Sequence, residues 1–253
     1  MKLKDLLHAL RWPTIALEDF LTEHKSELPE IWALKTLSET AGGEMHKNNF
    51  LHTIQVVRQC LDAGASDEVL LAALFHDIGK PPTRRIENGK VMFHMHEMVG
   101  NRLLRARFAA LGWDVGNVPE IILNASRMQA YTHENTDSAV RRMALEVGDL
   151  WSESMVLARC DVTSKHQRIH NRVQESLDRL EAHKARVAEI DAKAAFRPVL
   201  NGHDLMAMGF TPGEELGEIL HFLKEENLRG RLTTPEAARA ALTAVFGCGK
   251  VEP

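Results

Sequence analysis

The sequence predicts an all-α protein: a helical bundle with a small helical extension at its C-terminal end. Three observations predict it. Apolar residues recur at helical spacing along most of the chain. β-branched residues rarely alternate with polar ones, and one tyrosine with nine phenylalanines is thin for a sheet protein. Capping residues, glycines and prolines fall where helices of ordinary length would begin and end.

In the first element, Leu3, Leu6, Leu7 and Leu10 form one apolar stripe. Asn48 or Asn49 is placed to cap a helix whose apolar side is Leu51, Ile54, Val57 and Leu61. Ser66 opens the next helix, with Asp67 and Glu68 in the first turn, where the helix dipole favours acids. Its buried side is Leu70, Leu71, Leu74 and Ile78, and Gly79 with Pro81 and Pro82 ends it. Residues 83–95 read as a loop with a turn at Asn88-Gly89. Helices are predicted over about 96–111, 119–128, 136–148, 151–164 and 165–194. Residues 196–202 read as a linker, and a short helix is predicted near 204–208. Thr211 is a good N-cap, with Pro212 at the first helical position and Glu214 completing a capping box; Gly230 closes that helix. Thr234-Pro235 starts a last helix ending near Phe246. The expected organisation is an N-terminal helical segment over 1–40, packed on a body over 41–194, with a helical C-terminal unit over 195–253.

Composition narrows the class. The chain has 253 residues, 44% hydrophobic and 26% charged, as an ordinary globular protein has. A formal net charge of −4 argues against a wholly basic nucleic-acid coat, though a local basic groove is compatible with it. Cys60, Cys160 and Cys248 are widely scattered without a CxxC pair, which reads as reduced thiols in a cytoplasmic protein. The N-terminal stretch is broken by His8, Arg11 and Pro13, unlike a signal peptide, and no apolar run is long enough to span a membrane. No Gly-x-Ser-x-Gly elbow, Walker loop or dinucleotide fingerprint is present. Thirteen histidines direct attention to metals.

One constellation carries chemistry: His52, then His76-Asp77, then Asp161. Imidazole and carboxylate are the ligands that borderline and hard divalent ions accept together. Asp77, between Phe75 and Ile78 on an apolar helix, is costly to bury without a partner, and a metal would supply one. Adjacent His and Asp diverge by about 100° on a helix, yet both can reach one ion at a helix end.

The stretch LLAALFHDIGKPPTRR resembles the signature of the HD-domain metal phosphohydrolases, and His52 and Asp161 fall where that family places its first and last ligands. HKNNFLHTIQVV, FHMHEMVGNRLL, TDSAVRRMALEVGDL and RCDVTSKHQ extend the resemblance to the HD region of bacterial CCA-adding tRNA nucleotidyltransferases and their poly(A) polymerase relatives. The segment NGHDLMAMGFTPGEELGEILHFLKEENLRGRLTTPEAARA is similar to the stretch C-terminal to the HD region in those enzymes, so the likeness runs from Leu28 to about Leu242. Those polymerases also carry an N-terminal nucleotidyltransferase head with paired aspartates. Here only about 40 residues precede the HD region and no Asp-x-Asp occurs, so nucleotide addition is not expected.

The resemblance implies metal-dependent hydrolysis of phosphoesters of nucleotides or RNA ends, a 2′,3′-cyclic phosphate or a phosphomonoester first. It implies metal ligation by His52, His76, Asp77 and Asp161. The ion would be Mn, Ni, Co, Fe, Zn or Mg, and would lower the pKa of its bound water toward about 7. His96 matches the histidine that opens the helix after the family's variable loop, a position that in HD enzymes often faces a second metal or the substrate phosphate. Asn124 stands where relatives tend to show a histidine. An amide binds transition metals poorly, so one firm site is expected and a second is in doubt. Asp77, Lys80 and His96 are the candidate catalytic residues, and Lys80, Arg84, His96 and Asn124 the candidates for binding phosphate or substrate. Basic groups beside a metal stabilise developing phosphoryl charge. Arg141 or Arg142 could pair with Asp137, which lies four residues before Arg141. Two other classes stay open: a non-catalytic module binding tRNA-like RNA, and a hydrolase of free nucleoside triphosphates or cyclic dinucleotides. No membrane partner is expected.

Overall fold

The computed structural model describes residues 1–41, 44–163, 167–193 and 199–247. The protein is all-α, with two small antiparallel strand pairs among the described residues. It divides into two units: residues 1–133 with 147–179, and residues 134–146 with 180–253.

The first unit opens with α1 (Leu3–Ala9), α2 (Thr14–Glu23) and α3 (Pro29–Ala33), then a single 3₁₀ turn (Leu34–Thr36). Strands β1 (Ser38–Ala41) and β2 (Glu44–Asn48) pair next, Ser38 opposite Asn48. The bundle that holds the site is α4 (Asn49–Asp62), α5 (Asp67–Phe75), α7 (His96–Leu111), α8 (Val118–Gln129) and α10 (Trp151–Cys160). Asn48 caps α4 by accepting from Leu51 N, and Ser66 caps α5 by accepting from Val69 N. Every residue of α5 from 69 to 75 is buried. A helix apolar all round belongs at the centre of a bundle, and each large side chain buried there contributes about 1.5–3 kcal/mol. The residues just beyond α5 therefore emerge inside the protein.

Several sequence expectations need correction. Leu51, expected on the buried stripe of α4, is 53% exposed; Phe50, Ile54 and Val57 carry the buried face. Pro81 and Pro82 do not simply end a helix. They lie in the first turn of the short α6 (Lys80–Thr83), where proline's missing N–H costs nothing. Residues 83–95 are not a plain loop: β3 (Arg84–Glu87) pairs antiparallel with β4 (Lys90–Phe93). The turn falls at the expected dipeptide, with Asn88 at φ 52° and Gly89 at φ 73°, the two positive values of a tight hairpin turn. No alternation betrays β3, because all four of its residues are exposed.

The second unit contains most of α9 (Asp137–Val147), the latter part of α11 (Gln167–Lys193), α12 (Gly202–Ala207), α13 (Glu214–Leu228) and α14 (Pro235–Phe246). Its core includes Leu205, Phe210, Ile219, Leu223, Leu232 and Leu242. Asn201 forms a capping box with Asp204, and Thr234 caps α14. The capping box expected at Thr211 is absent. Helix α13 begins after Gly213 with no side-chain cap, and Glu214 and Glu215 supply the acids of its first turn. Arg141 does not pair with Asp137. Its guanidinium makes a two-pronged contact with Asp191 at 2.6 and 2.7 Å, while Asp137 accepts from Arg186 and from His183. Cys248 and residues 194–198, including part of the expected linker, lie outside the described residues. No helix among the described residues is long and apolar enough to cross a membrane.

Candidate metal centre

His52 projects from α4, His76 is the C-cap of α5, Asp77 is the next residue, and Asp161 is the C-cap of α10. Two helix C-termini thus point at one place, and their partial negative charge favours a cation there. His52, His76 and Asp77 are 4%, 8% and 2% exposed. One ligand atom from each of these three lies within 4.8 Å of the others, a group that could hold a metal ion. The Nε2 atoms of His52 and His76 are 3.2 Å apart. Asp161 Oδ1 joins them, 2.9 Å from His52 Nε2 and 3.3 Å from His76 Nε2. Asp77 Oδ2 lies 3.3 Å from His76 Nε2 and 3.7 Å from His52 Nε2.

Four of these five separations, 2.9 to 3.3 Å, are close to those of donor atoms that share an ion, and the 3.7 Å between Asp77 Oδ2 and His52 Nε2 is a little longer. With bonds of about 2.1 Å, donors at octahedral to tetrahedral angles sit about 3.0–3.4 Å apart. A second observation agrees. Asp77 Oδ2 is buried and has no hydrogen-bond partner among the described residues, although Lys80 Nζ stands 2.9 Å away. A buried carboxylate oxygen left without a directional bond is costly, and a metal would satisfy it. His76 Nδ1 donates to the carbonyl of Ala73 at 2.8 Å, which leaves Nε2 to face the centre with its lone pair when the ring is neutral.

The electrostatics are those of a cation site. Burial alone would lower the His76 pKa, but the Asp77 and Asp161 carboxylates more than offset it and raise it to about 10. Burial would raise the Asp77 pKa, yet His76 and Lys80 hold it well below the usual carboxylate range. Asp161 is likewise held low, against its burial, by His76 and His52.

A cleft of about 200 Å³ opens over this cluster, lined by His76, Asp77, Lys80, His96, Glu97 and Asp161 together with residues of α8. Lys80 is buried; its Nζ also donates to Asn49 Oδ1 at 3.3 Å and sits over the Phe93 ring. His96 Nε2 is 3.7 Å from Asp77 Oδ1, and its Nδ1 donates to the Phe93 carbonyl at 2.9 Å. Of the expected residues, then, His52, His76, Asp77, Lys80, His96 and Asp161 come together. Arg84 and Asn124 do not. Arg84 is exposed and lines a separate cavity with Thr36, Leu37 and Pro81. Asn124 is buried on α8, which lines the cleft instead with Ala125, Ser126 and Gln129.

Sequence reasoning missed three polar neighbours. Gln129 Nε2 donates to Asp161 Oδ2 at 3.1 Å. Thr163 Oγ1 is 2.6 Å from His52 Nδ1. Ser126 donates to Glu97 Oε1 at 2.8 Å on the cleft wall. Gln129 and Ser126 sit on an amphipathic helix whose polar side reads as solvent-facing, so nothing in the one-dimensional pattern marks them.

The HD-domain family matches residues 49–166, so the chain carries an HD domain there, with all four residues of the cluster inside it. HD domains are typically metal-dependent phosphohydrolases. The chain is 30% identical over 251 residues to an A-adding tRNA nucleotidyltransferase of Deinococcus radiodurans, covering 94% of this chain and 57% of that protein. It is 33% identical over 220 residues to a CC-adding tRNA nucleotidyltransferase of Thermus thermophilus, covering 85% of this chain and 48% of that protein. The chain therefore spans about half the length of these curated relatives, and resembles their HD region.

Proposed function

We propose that the protein is a metal-dependent phosphohydrolase acting on phosphoesters of nucleotides or RNA ends, with a 2′,3′-cyclic phosphate as the leading substrate. One observation carries the reading. Asp77 Oδ2, buried and without a hydrogen-bond partner among the described residues, lies 3.3 Å from His76 Nε2 and 3.7 Å from His52 Nε2 at the edge of an open cleft, with a lysine ammonium 2.9 Å away. His52, His76, Asp77 and Asp161 would hold the ion. A divalent ion supplies Lewis-acid chemistry, polarising a phosphoryl oxygen and acidifying water. Lys80 binds a phosphate oxygen and balances the negative charge that develops on it. His96 turns Nε2 to the cleft, where it can exchange a proton with an attacking water or a leaving oxygen. The volume of about 200 Å³ suits a phosphate with its ribose better than a whole dinucleotide, since clefts for drug-sized ligands run to about 300–1,000 Å³.

The test is hydrolysis of 2′,3′-cyclic AMP, cyclic-phosphate RNA ends and free nucleoside triphosphates across added Mn, Ni, Co, Fe, Zn and Mg. Wild type runs beside Asp77→Ala, with metal content measured on both. Stoichiometric metal and turnover, both lost in the variant, support the reading; metal without turnover of any cyclic phosphate discards the substrate.

The similarity to tRNA nucleotidyltransferases over 94% and 85% of the chain supports a second reading, that the protein binds tRNA-like RNA. Counterion release would make such binding fall steeply with salt. Undetectable or salt-independent tRNA binding counts against it.

A further inference from the structure

We propose that Thr163 and Gln129 are positioning residues that fix the orientation of His52 and Asp161, so that each turns a single donor atom to the centre. The inference rests on the metal reading above and concerns how that site is built. Each ligand side chain has two polar atoms, and an open site is specified only when the outward one is tied. Ala73 ties His76 from within its own helix. His52 is held from a distant part of the chain: its Nδ1 meets Thr163 Oγ1, which arrives from 111 residues further along. A hydroxyl can accept or donate. It can therefore hold the Nδ1 proton while Nε2 carries a lone pair to an ion.

Gln129 acts on the other side. One N–H of its amide goes to Asp161 Oδ2 at 3.1 Å, and the amide nitrogen also donates to the Ala158 carbonyl at 2.9 Å. The glutamine thus links α8 to the last turn of α10 and engages Oδ2, leaving Oδ1 as the oxygen beside both histidines. Asp161 is a one-oxygen ligand for this reason. Calcium takes six to eight oxygens, often with carboxylates gripping through both. Two imidazoles with one-oxygen carboxylates suit first-row transition ions better. Gln129 accordingly biases the site against calcium, and Thr163 sets the imidazole that a transition ion needs.

The experiment measures affinity for Co²⁺ and Ca²⁺ by competition with a chromophoric chelator, and the visible absorption of bound Co²⁺. Wild type runs with Thr163→Val, Thr163→Ser and Gln129→Leu, each checked for native circular dichroism without metal. Outward partners of metal ligands are typically worth about 10–100-fold in affinity. Thr163→Val is expected to lose about that much for Co²⁺ and to shift its absorption, with Thr163→Ser recovering most of both. Gln129→Leu is expected to narrow the Co²⁺-to-Ca²⁺ ratio at least about tenfold. Thr163→Val and Gln129→Leu variants that match wild type in affinity and spectrum overturn the proposal while leaving the metal centre intact, and so does equal weakening by Val and Ser. A wild type that binds no ion removes the metal reading itself. If Thr163→Val does not fold, the Gln129→Leu ratio decides for the Asp161 half and Thr163→Ala, compared with Thr163→Ser, for the His52 half.

Discussion

The Cβ that Gly79 lacks would fall 1.9 Å from the carbonyl oxygen of His96 and 2.6 Å from the amide nitrogen of Gly100. The turn after Asp77 and the first turn of α7 meet backbone to backbone, and that meeting brings His96 over the cluster. Backbone atoms cannot yield as a flexible side chain can. Gly79→Ala should therefore destabilise the protein by about 3 kcal/mol, at the upper end of overpacking costs. It should also move His96 out of reach of Asp77. Urea unfolding of the variant beside wild type measures the first effect; a cost below about 0.5 kcal/mol would show that the two segments part easily.

Removing the metal should lower the melting temperature. A ligand held at 1,000 times its Kd stabilises the native state by about 4 kcal/mol. For a chain of this size that is worth about 10 °C, at roughly 2–4 °C per kcal/mol. Melting curves with saturating Mn²⁺ and after exhaustive chelation give the difference, and coincident curves would sink the metal centre.

Asp77→Asn should destabilise the metal-free protein as well as abolishing the response to metal. The substitution strips the charge that faces buried Lys80 at 2.9 Å. Breaking a buried pair from one side costs about 3–5 kcal/mol. The double variant Asp77→Asn, Lys80→Met should recover part of that loss, and no recovery would mean the two charges are not coupled.

Arg84→Ala should leave turnover of a mononucleotide cyclic phosphate within about twofold of wild type, whereas Lys80→Ala should reduce kcat by about 10²–10³. Arg84 stands outside the cleft and Lys80 lines it. Equal losses from the two variants would put the guanidinium back at the reacting phosphate.

In the second unit, Arg186 and His183 hold the Asp137 carboxyl down at about 2. A depressed carboxyl contributes stability that is present above its unfolded pKa, near 4, and lost as pH falls through about 2. Asp137 is 43% exposed, so solvent screening limits the contribution to under about 1 kcal/mol. Asp137→Asn should therefore lower stability slightly at pH 7 and by less at pH 2, read from urea midpoints at the two values.

The bundle was legible because burial writes itself into periodicity. Ser66, the acids after it and the unbroken apolar run of α5 announce a central helix, and a charged His76-Asp77 at its end is anomalous enough to mark a site. Fine orientation was not legible. Leu51 and Ile54 look alike in a list, and which one turns inward depends on how α4 rolls against its neighbours. The β3–β4 hairpin has no buried face to impose alternation. Thr163 and Gln129 act through single hydrogen bonds across long sequence separations, which leave no periodic trace. Arg141 chose Asp191 over the local Asp137 because a two-pronged contact fixes a guanidinium better than one helical neighbour does.

The four clustered side chains arrive from positions 52, 76, 77 and 161. A ribosome that has released only the first two helices of this bundle has made three of them and no centre. The fourth waits until α10 has been synthesised and has docked against α4 and α8, so the centre is a contact of high sequence separation and closes late. Capture of an ion by this constellation would thus report that the first unit has finished folding, and a chain stalled before Asp161 would remain without it.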